Sequence, residues 1–167
     1  YAPIKISPNY WEEIYTDILE KTDTFIQKTQ QKPALVIWPE SIINNEWTLK
    51  KVQLQEKSKQ WGIPVLTGVK MEKNGSYYNQ MVLIDAQKEQ QYYDKIKLTP
   101  FWEGIPFLSH YFNFRGFLKS GNEHTIFQIA EELKFGTPIC FELLYPSVWV
   151  KMKKSGAHRS EERRVGK

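Results

Sequence analysis

The sequence predicts a single α/β domain, a mixed sheet with flanking helices, on three observations. Amphipathic helical patterns alternate with short apolar runs of strand length, and the later segments read as strands meandering through turns. The length of 167 residues, with 41% hydrophobic and 25% charged side chains, is that of one globular domain. A 14% aromatic content excludes intrinsic disorder, because rings that reach a core bury large apolar areas. No repeat or linker divides the chain.

The elements follow in order. Trp11, Ile14, Tyr15, Ile18, Leu19, Thr22, Phe25, Ile26 and Thr29 recur at helical spacing, predicting an amphipathic helix over residues 9–31. Pro33 ends it. Ala34-Leu35-Val36-Ile37-Trp38 is apolar without alternation, which predicts a central strand buried on both faces. Residues 46–60 read as a helix and residues 63–69 as a second buried strand. Asn74-Gly75 is a hairpin signal leading into strands near residues 79–85 and 89–93. From Lys95 to Gly121 periodicity gives way to prolines, glycines and aromatics, the mark of a long functional loop. Strands near residues 124–130 and 135–139 and a helix over residues 146–154 complete the pattern.

Composition narrows the chemistry. The single Cys140 excludes an internal disulfide and a cysteine-based zinc cluster, while His110, His124 and His158 show no ligand spacing, so no metal or cofactor is expected. The formal charge of +4 falls to +2 without the last nine residues, too small a balance to suggest nucleic acid. No stretch approaches the ~20 apolar residues of a membrane-spanning helix.

Glu40, Lys95 and Cys140 each stand where a predicted strand ends, the usual place for sites in α/β sheets. Taken singly, each has a plainer reading: a lone Cys is usually a small buried hydrophobe, and Glu or Lys at a strand end is usually solvated. Taken together they supply what thiol acylation needs, namely a nucleophile, a base for its proton and a cation for the oxyanion.

Trp38-Pro39-Glu40, Tyr93-Asp94-Lys95 with Leu98, Pro100, Phe101 and Glu103, and Ile139-Cys140-Phe141-Glu142 resemble the three signature segments of the nitrilase superfamily in order and spacing. Within it they are similar to the apolipoprotein N-acyltransferase branch, and Ser120-Gly121 and Gly156-Ala157 extend the likeness over most of residues 10–158. Trp102 replaces a usual Gly, Gly104 a usual Tyr and Phe141 a usual Tyr, changes that touch no ionisable group.

The resemblance implies a nitrilase-like α-β-β-α sandwich, here one truncated half-sandwich unit. It assigns Glu40 as general base, Cys140 as nucleophile and Lys95 as oxyanion stabiliser, with Glu103, Phe141 and Glu142 in support. Glu142 alternatively reads as a carboxylate at a helix entry. Trp102, Phe107 and Phe112 read as a lid that meets lipid, or alternatively as a satellite core under the loop.

The implied activity is transfer of an acyl group from a phospholipid donor, through a cysteine thioester, to the amine of a diacylglyceryl lipoprotein acceptor. Such a protein would sit in a bacterial inner membrane through segments outside this chain, with this domain facing the periplasm, as a monomer. A carbon-nitrogen hydrolase using the same triad on an amide or nitrile, and an inactive lipid- or protein-binding fragment, are the alternatives. Residues 1–158 would be part of a catalytic domain that begins inside a longer protein. Residues 159–167 resemble a translated sequencing-library adapter, expected to pack against nothing. The chain alone is expected to be largely inactive.

Overall fold

A computed structural model describes residues 9–44, 46–104, 118–130, 133–157 and 159–160. Helix α1 (Tyr10–Lys28) buries Tyr15 and Leu19, and α2 (Trp47–Trp61) buries Lys50, Leu54, Ser58 and Trp61. Polar contacts pin the two helices together. Lys50 pairs with Glu12 at 2.5 Å, Tyr15 donates to Gln53 at 2.8 Å, and Asp23 accepts from both Lys57 and the Trp61 indole. Trp11 and Phe25 are exposed instead of buried, because they lie at the margin of the α1 stripe whose centre is Tyr15 and Leu19.

The first sheet has the order β1-β2-β3-β4, from β1 (Val36–Ile37), β2 (Val65–Lys73), β3 (Ser76–Ile84) and β4 (Gln91–Asp94). β1 is parallel to β2, and β2, β3 and β4 pair antiparallel, so the sheet is mixed. Asn74 and Gly75 both take positive φ (51° and 72°) between the paired Lys73 and Ser76, as a two-residue primed hairpin turn requires. Alternation along the strands then divides the interior. Val65, Val69, Val82 and Ile84 face α1 and α2, whereas Leu66, Met81, Leu83 and Tyr93 face a second core.

That second core is completed by Phe127, Phe135, Ile139, Val148 and Met152. They come from β5 (Phe127–Ala130), β6 (Leu133–Gly136), the segment after it, and α3 (Pro146–Lys154). β5 and β6 pair antiparallel, with Phe127 stacked on Phe135 at 5.6 Å. The first sheet thus lies between the α1–α2 core and a second core that it shares with β5, β6 and α3.

Two expectations are corrected. The apolar run from Ala34 to Trp38 forms only a two-residue strand, at the sheet edge among the described residues, and Ile37 is 44% exposed. Pro39 offers no N–H to continue the ladder, and an apolar run does not specify which neighbour covers it. The long loop is knit to the sheet at its described ends: Leu118 donates to the Glu103 carbonyl, Lys119 to that of Tyr77 and Gly121 to that of Lys95, at 2.7 to 2.9 Å. Finally, β7 (Arg159–Ser160) does pack, pairing in parallel with Phe135 and Gly136 of β6. An open strand edge accepts any extended backbone, whatever its side chains.

Candidate active site

Glu40, Lys95 and Cys140 converge. Glu40 follows β1, where the Pro39 carbonyl accepts the Gly68 N–H at 3.2 Å. Gly68 lies so close that a Cβ there would stand 2.5 Å from Glu40 Cα and from the Ser41 nitrogen, so only glycine lets the Glu40 turn settle on β2. Lys95 extends β4, donating its N–H to the Asn79 carbonyl at 2.8 Å. Gly121 closes over this segment; a Cβ there would come within 2.3 Å of the Asp94 carbonyl oxygen.

The Lys95 side chain is 1% exposed. Its Nζ lies 2.7 and 2.9 Å from the two Glu103 oxygens and 3.4 Å from Glu40 Oε1. Glu103 also accepts the Thr99 N–H at 2.7 Å and an Asn79 amide hydrogen at 2.9 Å. Burial by itself would raise the Glu103 carboxyl. Lys95, the Thr99 N–H and Asn79 outweigh it and hold this acid below its ordinary value. Lys95 is therefore neutralised chiefly by Glu103, and Glu40 carries negative charge that the ammonium does not fully match.

Cys140 opens a short 3-10 helix (Cys140–Leu144) with φ at 49°, a left-handed value that a side-chain-bearing residue adopts only at an energetic cost. It is exposed, not buried in the core. It lies near enough to the Glu40 carboxylate and the Lys95 ammonium for both charges to act on the thiol. Desolvation and the Glu40 charge push the thiol pKa up, with Lys95 pulling the other way, so at neutral pH the group is a thiol that needs a base.

Glu142 is fully buried in the first turn of the 3-10 helix, where it caps the helix entry through the Ile139 N–H and also reaches beyond it. It accepts hydrogen bonds from the Tyr93 hydroxyl and from the N–H groups of Ile96, Lys97 and Ile139, at 2.8 to 3.0 Å. One carboxylate thereby ties the Lys95 segment to the Cys140 turn. Burial and the Glu142 charge drive the Tyr93 hydroxyl upward, so it remains a donor. Phe141 packs edge-on against Tyr145 at 5.4 Å.

Trp102 is 87% exposed and its neighbour Phe101 is exposed as well, so this part of the loop is not a satellite core. Phe107 and Phe112 lie outside the described residues. Asn79 and Gly68 belong to the site but were not singled out by the sequence; an isolated glycine within a strand pattern was the available signal for Gly68. Among the described residues no cluster of three or more His, Cys, Asp or Glu could hold a metal ion.

Known proteins bear on this geometry. The family model described as carbon-nitrogen hydrolase matches residues 5–158. The apolipoprotein N-acyltransferase of Aquifex aeolicus (strain VF5) is 33% identical over 153 residues, which are 86% of this chain and 34% of that protein. Apolipoprotein N-acyltransferase 2 of Treponema denticola is 26% identical over 155 residues, 79% of this chain and 30% of its own length. The chain spans about a third of the length of these curated relatives. Among solved structures, an amidase from Nesterenkonia sp. AN1 superposes with a TM-score of 0.67 at 12% identity, over 88% of this chain and 59% of that one.

Proposed function

The chain belongs to the carbon-nitrogen hydrolase family, and from that premise we propose that it carries the acylating group of an N-acyltransferase. Cys140 attacks the carbonyl of a phospholipid acyl ester while Glu40 accepts the thiol proton. The tetrahedral oxyanion forms beside the Lys95 ammonium, collapses, and expels the lysophospholipid alcohol, which takes the proton back from Glu40. A thioester remains on Cys140. The free α-amine of a diacylglyceryl-cysteine lipoprotein then attacks it, loses a proton to Glu40 and leaves as the amide, restoring the thiol.

The observation that carries this reading is the division of labour around one ammonium. Glu103 holds Lys95 at 2.7 Å, while Glu40 lies further off at 3.4 Å, near enough for its charge to act on the Cys140 thiol. The choice of lipid donor and lipoprotein acceptor rests on the names of the curated relatives. Exposed Phe101 and Trp102, next to Glu103 in the chain, suit entry from a lipid surface. No helix among the described residues is long and apolar enough to cross a membrane, so in this reading membrane attachment and the periplasmic orientation come from elsewhere in a longer protein. In the same reading residues 1–158 are part of the family domain and the segment from Arg159 is foreign to it.

The test is a two-step labelling experiment. An acyl-ester probe should add one acyl group to Cys140, detected by mass, and Cys140→Ala should abolish it. A primary amine should then discharge the thioester faster than water does. Discharge by water alone would favour an amidase-type hydrolase, and absence of any labelling would leave only a binding fragment.

A further inference from the structure

Asn79 sits in mid-strand on β3 and is 3% exposed. One of its Nδ2 hydrogens goes to Glu40 Oε1 at 2.5 Å and the other to Glu103 Oε1 at 2.9 Å, while its backbone carbonyl accepts the Lys95 N–H at 2.8 Å. A single residue thus touches both carboxylates of the site and the backbone of its lysine. We infer that Asn79 is a positioning residue for acylation: by giving one amide hydrogen to each carboxylate, it keeps Lys95 on Glu103 and keeps Glu40 turned to the Cys140 thiol.

The argument is one of charge. Two carboxylates compete for one buried ammonium, and without a further donor Lys95 can close on either. If it closed on Glu40, the base would be neutralised at the moment it must take a proton; if the two carboxylates spread apart, Glu40 would leave the thiol. Two N–H groups between them remove both alternatives, because a neutral amide attracts each carboxylate without adding a charge. The amide is oriented for that purpose alone. Its Oδ1 is buried without a partner among the described residues, an unmet acceptor that is destabilising in itself. Turning the amide over would place that oxygen against two carboxylates instead.

This inference rests on reading Cys140, Glu40 and Lys95 as the acylating group. The chain, within the longer protein that the proposed reading implies, is mixed with a p-nitrophenyl acyl ester, and the burst of p-nitrophenolate is resolved into a rate constant, an amplitude and a half-saturating ester concentration. Asn79→Leu, close in volume but without donors, should lower the rate constant by about 10- to 100-fold, the scale of a small misplacement of reacting groups. Amplitude and half-saturation should stay as they were. Asn79→Ser, which returns one hydroxyl donor, should recover part of the rate, and it decides the matter if Asn79→Leu fails to fold. A wild-type rate constant in either folded variant, or a loss of amplitude at an unchanged rate constant, overturns the positioning role. A wild-type protein, assayed in that longer form, that shows no burst overturns the underlying acylation reading, and the role of Asn79 with it.

Discussion

Two lysines are buried among the described residues, and they are buried differently. Lys50, 6% exposed, lies between α1 and α2 over the Tyr15 ring, and its one acid partner, Glu12, is itself half in water. Lys95, 1% exposed, lies at the end of β4 facing two carboxylates and backed by Asn79. The first arrangement balances one charge with one charge and closes a helix pair. The second holds an excess of negative charge beside a thiol, which is useful only if a proton is to move. In the proposed reading, a buried cation marks a reaction centre by the surplus around it, not by its burial.

The contrast breaks most visibly in rate. Lys95→Met should slow acylation of Cys140 by about 100- to 1,000-fold, the usual loss when one oxyanion donor is removed, whereas Lys50→Met should leave the rate unchanged. Burst kinetics of the two purified variants compares them directly. In stability, Lys95→Met strands two close carboxylates in a buried site and should cost about 3–5 kcal/mol. Lys50→Met loses a solvent-screened pair and should cost about 1 kcal/mol or less in urea unfolding.

Smaller effects sharpen the comparison. Glu103 is held below its ordinary pKa in the folded chain, so its contribution to stability is complete above the normal carboxylate range, near pH 4.3, and is lost as pH falls through its lowered value. Glu103→Gln should therefore flatten the acid side of a plot of urea midpoint against pH. The smallest shift concerns the thiol. Because Glu40 raises the Cys140 pKa and Lys95 lowers it, the midpoint of iodoacetamide alkylation should move to lower pH in Glu40→Gln and to higher pH in Lys95→Met, and stay in place in Lys50→Met. Movement in the Lys50 variant would deny that the two lysines act separately.

What the sequence disclosed follows the same division. Local chemistry was legible: Asn74-Gly75 dictates its hairpin, and the period of Tyr15 and Leu19 dictates α1. So were Glu40, Lys95 and Cys140, because charge and nucleophile at strand ends stand out against apolar runs. The α2 core stripe was harder, since Lys50 and Ser58 are two of its four buried positions. Asn79 and Gly68 escaped because their roles arise across strands, from register and close approach, which no single segment encodes. The edge position of β1 escaped for the same reason: an apolar run records that faces are covered, not which neighbours are present.

The Glu142 brace has a kinetic consequence. The amides of Ile96, Lys97 and Ile139 lie outside every strand, yet all three point at one buried carboxylate. None can meet solvent deuterium by fraying alone; the carboxylate must let go, and then all are freed together. These amides should therefore exchange with a common opening free energy, as a small cooperative unit that crosses two distant stretches of sequence. In that sense the loop bearing the cation and the turn bearing the thiol open and close as a single hinge.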